Sequence, residues 1–575
     1  MKSLGGYLSA HKKRMAVGLT IKSFGTVAEL FLPMIMAYMI DDVAPTGSVL
    51  QLSLWGVAML AFAVIAWGGN VIANRMASRV ARDTTEVIRN DLFTSTLYLS
   101  ARQTDKVTVP SLVSRLSSDT YNVHNMIGMI QRLGVRVPIL LIGGVALTFS
   151  VEPVLALVLL AVVPFLTAVV IFVSSKGITL YTDLQRAVDT MVRKVRDDYT
   201  GIRVIKALSR TEYEKQGFAK INENVVGKET KAGVIMSVTN PIMNVVLNLG
   251  MTVVVLVGAI RVSKGLAQVG EIIAFTSYFT IILNAVISIS RIFVNVSKGS
   301  ASSKRICAVL NMPDELIKDE TLEKAEEGEK SGAVKFENVT FSYDGAPALK
   351  NVSFELKKGE SLGVIGATGS GKTTLVALLL RFYDCDKGRI LVDGINVKGY
   401  DEKELREKFG VVLQNDFLMA ASVKDNIKFE REIDDKDMKE AASRAKAAPF
   451  VEALENGYDS MLTVRGANFS GGQKQRLLIA RALAGDPEIL VLDDSSSALD
   501  YKTDAALRAT LRENYPDTTI IMIAQRISSV RFADKILVLD KGEAVGLGDD
   551  ETLMKTCEVY RRIYESQSEG GGGND

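Results

Sequence analysis

Residues Gly366-Ala367-Thr368-Gly369-Ser370-Gly371-Lys372-Thr373-Thr374 fit the pattern G-x-x-x-x-G-K-[ST] in full. The run Ser361–Ile365 ahead of them reads as a buried strand, and Thr373–Phe382 behind them as a helix. A glycine-rich loop in that setting lets backbone N–H groups close on phosphate oxygens, and the helix start adds the positive end of its dipole. Lys372 brings a cation to the outer phosphates, and the Thr373 hydroxyl is of the type that ligates Mg2+. Downstream, Ile489–Asp494 reads as a second buried strand ending on two carboxylates, with Asp493 placed to organise the Mg2+ shell. The chemistry these residues share is the binding and transfer of nucleotide phosphate.

Between the two lies FSGGQKQR, residues 469–476. Ser470 followed by Gly471, Gly472 and Gln473 opens a helix and offers a second phosphate-binding end. This tetrad resembles the signature of the ATP-binding cassette (ABC) transporters. The resemblance covers nearly the whole chain and carries several implications. ATP and Mg2+ are the expected ligands, with Thr373, Gln414 and Asp493 around the metal. Tyr343 is similar to the aromatic that stacks on adenine, and Gln414 to the glutamine that contacts Mg2+ and the attacking water. Ser497–Asp500 resembles the D-loop that crosses the dimer interface. A signature cannot clamp ATP held by its own cassette, so a second ABC half-transporter is the expected partner. Six membrane spans ahead of the cassette resemble the exporter branch, and Gly201–Ala207 and Pro110–Asp119 resemble its coupling helices.

Two positions around the γ-phosphate depart from that family. Asp494 stands where a glutamate usually polarises water, and Gln525, in Ile523-Ala524-Gln525-Arg526, stands where a histidine usually sits. Asp is one methylene shorter, and an error of about 1 Å can cost roughly 100-fold in rate. Gln525 hydrogen-bonds but carries no positive charge, and the two histidines, His11 and His124, both lie in the front half. Val464 is a third departure, six residues ahead of Ser470 where the exporter branch tends to carry glutamate. Paired losses with an intact signature resemble the degenerate-site chain of heterodimeric bacterial multidrug exporters. The alternatives are a homodimer with a slow Asp-based site, and an ATP-gated channel or regulatory subunit.

The elements that must carry this machinery are membrane helices. A span needs about 20 mostly apolar residues, and candidates lie near 15–39, 51–74, 134–151, 153–175, 233–261 and 271–297. Lys12, Lys13 and Arg14 precede the first, the long segments 75–133 and 176–232 are rich in Lys and Arg, and Lys298, Lys304 and Arg305 follow the last. The positive-inside rule therefore expects the N-terminus and the cassette to be cytoplasmic. Arg261 and Lys264 run mildly against it. Segments 76–107 and 176–225 read as helical arms extending from the spans, broken near 105–116 and 199–208, where Gly201 is expected to permit a turn. Glu29 and Lys22 inside the first span imply polar groups that pack helices together, a local Lys22–Glu29 pair, or a substrate contact. Asn240, Asn244 and Asn248 recur every fourth residue, and Asn284, Arg291 and Asn295 form a similar set. Each set suits interhelix hydrogen bonds or the wall of a transport cavity. Asp41 and Asp42 end the first span, either solvated or at an outer gate.

The expected fold is thus an all-α six-helix membrane domain followed by an α/β P-loop ABC nucleotide-binding domain. Its boundaries are 1–310 for the membrane domain, 311–332 for a linker, 333–568 for the nucleotide-binding domain and 569–575 for a flexible tail. The 575 residues are too many for one core. A net charge of +2 gives no field for nucleic acid. Cys307, Cys385 and Cys557 have no metal-ligand or disulfide spacing. The start, MKSLGGYLSAHKKRM, lacks a cleavable-signal pattern. The expected setting is the plasma or inner membrane, with lipid around the chain and amphiphilic small molecules, drugs or lipids, as cargo.

Overall fold

The computed structural model describes residues 2–322, 332–343, 345–414, 416–463, 466–495 and 497–569. Within these spans the side chains at 166, 167, 170, 171, 173–175, 178, 236, 239, 240, 243, 290, 568 and 569 lie outside the described set. Most of the expected linker, 323–331, and the tail beyond 569 also lie outside it. The chain divides into two compact units: Met1–Tyr98 with Val109–Met312, and Leu99–Thr108 with Pro313–Asp575.

The first unit is all helix. Among the described residues five stretches are long and apolar enough to cross a membrane: Lys12–Thr46, Val49–Leu97, Val109–Val151, Asn244–Ser263 and Val269–Leu310. The long helix Pro153–Thr200 joins them through its apolar start, Pro153–Phe165. It begins where expected, because Pro153 takes the first helical position, where it forfeits no hydrogen bond, and the Glu152 carboxylate accepts from Val154 N at 3.3 Å. Gly25 and Gly69 let the first two helices touch: a Cβ on Gly69 would lie 3.1 Å from Gly25 Cα. The last helix is tied to the first by Tyr278, whose hydroxyl donates to Leu30 O at 2.6 Å from a fully buried ring. The turn at Gly201 is present, but its φ of −87° is open to any residue, so the glycine's left-handed freedom is not what makes it.

Polar residues in this unit are paired differently from the sequence expectation. Lys22 does not pair with Glu29. Its ammonium donates to Asn70 Oδ1 at 2.6 Å and Asn74 Oδ1 at 3.1 Å, while Glu29 takes Arg136 Nη2 at 2.8 and 3.1 Å. The partners come from neighbouring helices, which spacing along one helix does not reveal. Asp41 is not simply solvated: its two oxygens accept from Gly270 N at 2.6 Å and Glu271 N at 2.9 Å, capping the last membrane helix. Arg261, against the charge rule by sequence, is paired with buried Glu152 at 3.0 Å.

The second unit carries two sheets. Strands β1 (Val334–Ser342), β2 (Pro347–Leu356), β4 (Lys387–Val392) and β5 (Ile395–Asn396) form an antiparallel sheet in the order β2-β1-β4-β5. Strands β3 (Ser361–Gly366), β6 (Phe409–Val412), β7 (Ile489–Asp493), β8 (Thr519–Ile523), β9 (Lys535–Asp540) and β10 (Glu543–Gly548) form the larger sheet, ordered β10-β9-β3-β8-β7-β6. All its pairings are parallel except β9 with β10. Strand β7 is buried along its whole length, which is why it reads as a continuous apolar run rather than an alternating one.

The segment Leu99–Thr108 belongs to this second unit. Its short helix Ala101–Val107 is opened by a Ser100–Gln103 capping box. Ser100 Oγ donates to Glu315 at 2.6 Å, Gln103 Nε2 to Pro313 O at 2.7 Å, and Tyr383 Oη to Asp105 at 2.6 Å. The segment Pro110–Asp119, expected by resemblance to be a coupling helix, is not part of this second unit. Residues 110–119 belong to the membrane unit, where buried Asp119 is held by Arg305 at 2.6 and 2.8 Å and by Ser302 at 2.9 Å.

Candidate nucleotide site

Four adjacent parallel strands, β3, β8, β7 and β6, end on the same edge, and the chemistry gathers at their carboxyl ends. Residues 367–371 follow β3, Gln525 follows β8, Asp493 closes β7 with Asp494 after it, and Gln414 follows β6. The loop is built for close approach. A Cβ at Gly366 would lie 2.6 Å from Ser370 Oγ, and Gly371, at φ +102°, would put one 2.7 Å from Ala348 O. Gly369 turns at φ +81° with nothing within 4 Å of its missing Cβ, leaving space over the loop. Lys372 opens the helix Lys372–Leu379 and curls back on its own loop, donating to Gly366 O at 2.8 Å and Ala367 O at 2.9 Å. Weak neutral acceptors hold this ammonium at the place where phosphate oxygens would receive it.

Asp493 is 2% exposed and its Oδ2 has no hydrogen-bond partner, as is true of the buried Ser370 hydroxyl. Burial, then the neighbouring Asp494 charge, pushes the Asp493 carboxyl up to about 6, against the lowering effect of the Thr373 hydroxyl and Lys372. Burial also raises Asp494, opposed by Lys372 and Arg526. Lys372 is lowered, mainly by burial, although both carboxylates favour its charge. Thr373 Oγ1 lies 3.5 Å from Gln414 Oε1. Oxygens of a carboxylate, a hydroxyl and an amide gathered beside an unpartnered buried Oδ2 suit a hard cation, so Asp493, Thr373 and Gln414 would hold Mg2+. A bound ion would supply charge neutralisation on the phosphates. Lys372 and the loop amides are the groups that would receive those phosphates.

Asp494 has a left-handed backbone, φ +53°, held by Asp494 N donating to Ile523 O at 2.9 Å. Gln525 and Asp494, the two departures from the family pattern, touch: Gln525 Nε2 donates to Asp494 Oδ2 at 3.3 Å. Tyr343 is 43% exposed, meets Phe341 and Tyr383 at near-perpendicular ring angles, and reaches Thr374 Oγ1 at 3.3 Å. The signature helix Gly471–Leu483 starts with a capping box: Gln473 N donates to Ser470 Oγ at 3.3 Å, and Ser470 N to Gln473 Oε1 at 2.8 Å. Gly472 is needed because Ala498 O would sit 3.1 Å from its Cβ, so the D-loop lies against the signature of the same chain. Asp500 caps the helix Tyr501–Asn514 through Thr503 N at 2.9 Å and Thr503 Oγ1 at 2.7 Å. Val464 lies outside the described residues.

Comparison with known proteins agrees with this geometry. The model for the ABC transporter transmembrane region matches residues 15–286, and the ABC transporter model matches residues 349–497. The ABC transporter ATP-binding protein Rv1273c of Mycobacterium tuberculosis is 32% identical over 572 residues, spanning 98% of this chain and 97% of that one. The chain is an ABC transporter with membrane and ATP-binding domains in one polypeptide. An ATP-dependent lipid A-core flippase of Mannheimia succiniciproducens is 30% identical over 540 residues, 92% of this chain and 91% of the flippase. A solved bacterial Atm1-family ABC exporter with ATP bound superposes with a TM-score of 0.81 at 23% identity, covering 97% of this chain and 99% of the other, and fixes the fold as the exporter type.

The transporter's expected cavity residues sort into two groups. Glu29 is committed to Arg136 and is removed from the set. Asn244, Asn248, Asn284 and Arg291 are exposed on the membrane unit. Their amides do not bridge helices: Asn248 donates to Asn244 O at 2.8 Å and Asn284 to Thr280 O at 3.0 Å, each within its own helix. The Asn240 side chain lies outside the described residues. Three site neighbours went unread in the sequence. Arg526 adds a cation beside Asp494, Tyr383 meets Tyr343 edge to face, and Gln567 binds the backbone around Gln525. Arg526 follows Gln525 directly and was readable as a charge, whereas the other two lie 40 residues or more from what they touch.

Proposed function

We propose that this chain is one subunit of a heterodimeric ATP-driven exporter that moves amphiphilic small molecules out of the cytoplasm, and that its own ATP site holds nucleotide but turns it over slowly. The observation that carries the reading is the Asp494–Gln525 pair. The shortened carboxylate stands where water must be positioned, and the amide that touches it is neutral. With no histidine in the cassette, no cationic switch is available to stabilise charge growing on the γ-phosphate. The loop, Lys372 and Asp493 are intact for binding, and the capped Ser470–Gln473 end is intact for a partner's nucleotide.

Partner docking is further supported by the tip of the second arm. The helix Ile202–Ala207 exposes Val204 at 61% and Leu208 beside it at 65%. The exposed polar residues Asn244, Asn248, Asn284 and Arg291 suit the wall of a cavity completed by the second subunit, and a relative named as a lipid flippase supports an amphiphilic cargo class. Basic residues before the first span, in the segments 75–133 and 176–232 and after the last span support a cytoplasmic N-terminus and cassette at a plasma or inner membrane.

Vanadate-sensitive ATPase activity of the purified chain, with and without its partner, tests the assembly. Activity confined to the pair is expected, and comparable activity from the chain alone makes it a homodimer. In the assembled transporter, Asp494→Glu with Gln525→His is expected to raise turnover at this site by roughly 100-fold. Unchanged turnover would remove the degenerate-site reading.

A further inference from the structure

The last helix, Glu558–Glu569, packs on the sheet through Tyr560, Ile563 and Tyr564, which join the core cluster of Ile365, Ala524 and Ile527. Gln567 falls on the same face one turn later, and its amide meets the loop after β8 at two points. Gln567 Nε2 donates to Gln525 O at 2.8 Å, and Gln567 Oε1 accepts from Ile527 N at 2.9 Å. A side-chain amide spanning the carbonyl of one residue and the N–H two residues on does what a neighbouring strand would do. It fixes Arg526 in the extended conformation observed, φ −101° and ψ 128°. The sheet itself reaches no further than Ala524, whose N–H donates to Val364 O at 3.2 Å. From there to the short helix Ile527–Val530, the backbone that aims Gln525 is held by Gln567. An open pocket of about 780 Å3 lined by Asp494, Gln525, Arg526 and Gln567 runs alongside, and Gln525 and Arg526 are exposed between the buried Ala524 and Ile527.

We propose that Gln567 is a positioning residue for the γ-phosphate: the C-terminal helix sets the direction of the Gln525 side chain and thereby the site's preference for ATP over ADP. This rests on the reading that Gln525 faces the γ-phosphate. The test uses the assembled transporter in vesicles, with an azido-nucleotide competed by ATP or by ADP before irradiation and its photo-crosslinking to this chain then measured. For Gln567→Ala the expected result is about tenfold weaker ATP affinity, the scale of one charge-assisted hydrogen bond, with ADP affinity unchanged. Gln567→Glu keeps the acceptor for Ile527 N and loses the donor, so an intermediate loss is expected. Gln525→Ala should match Gln567→Ala, and the double variant should lose no more than either alone. An unchanged ATP-to-ADP ratio in Gln567→Ala, or an equal loss for both nucleotides, overturns the proposal and leaves Gln567 as a helix anchor. A ratio unchanged in Gln525→Ala overturns instead the placement of Gln525 at the γ-phosphate.

Discussion

Glu29, among the membrane helices, accepts two hydrogen bonds from Arg136, whereas Asp493, at the end of β7, keeps Oδ2 without any partner. The contrast extends across both units. Lys22 has Asn70 and Asn74, Arg261 has Glu152, and Asp41 has the first amides of the last membrane helix. At the nucleotide edge, the Ser370 hydroxyl is buried and unpartnered, Lys372 rests on two neutral carbonyls, and burial pushes both adjoining carboxyls up. Where low polarity surrounds a charge that only supports structure, the fold supplies a partner. Where it surrounds a charge that must receive a ligand, the partner is withheld, and the cost is carried until the ligand arrives.

Substitutions can break each side of this contrast. The largest effect is expected at Lys372→Ala, which removes the cation from the phosphates. Turnover in the assembled transporter should fall by about 100-fold or more at whichever site depends on it, measured as phosphate release at saturating ATP. Next is Glu29→Ala, which strands Arg136 in the membrane unit. A loss of about 2 kcal/mol is expected, below that of a fully buried pair because both side chains are partly accessible. Thermal unfolding in detergent checks it, with ATP affinity as the control that should not move.

The Asp493 carboxyl gives a pH prediction of similar size. Its folded value, about 6, lies above the ordinary carboxylate range, so the folded state holds a proton that the unfolded chain has released between roughly pH 4 and 6. The stability contribution from this group is full below pH 4 and is lost as pH rises through 6. Mg2+ needs the deprotonated form, so the Mg2+ concentration for half-maximal ATP binding should climb toward tenfold per pH unit below about pH 6. Mg2+ titrations between pH 5 and 8 should show that step, and Asp493→Asn should abolish it. The smallest effect is expected from Asp500→Ala, a satisfied helix cap, at about 1 kcal/mol of cassette stability by denaturant titration.

What the sequence disclosed follows the range of the interactions. The phosphate loop, the carboxylates after β7 and the Ser470 cap are contiguous motifs, and each lies on the element its pattern implied. The substitutions Asp494 and Gln525 were readable by type, but their mutual contact depends on β7 and β8 being neighbours, with Asp493 opposite Ile523 in register. Of the sequence readings for Lys22 and Glu29, the local pair does not form and helix packing does, through partners on other helices, 48 and 107 residues away, that spacing along one helix cannot name. The membership of Pro110–Asp119 in the membrane unit has the same origin. Asp119 is drawn into the membrane unit by Arg305, 186 residues on, and nothing local to Pro110–Asp119 announces that.

The left-handed backbone at residue 494 bears on how this site could have changed over time. A φ of +53° is tolerated better by Asp, whose short carboxylate bonds locally, than by longer side chains. Glutamate at this position would hold the water-positioning carboxylate further out but on a more strained backbone. Under the reading proposed above, exchange to aspartate relaxes the chain at the expense of chemistry, and the reverse step regains chemistry only by restoring that strain. A transporter that had taken that step with a competent partner beside it would have little route back, and the inequality of its two sites would tend to persist.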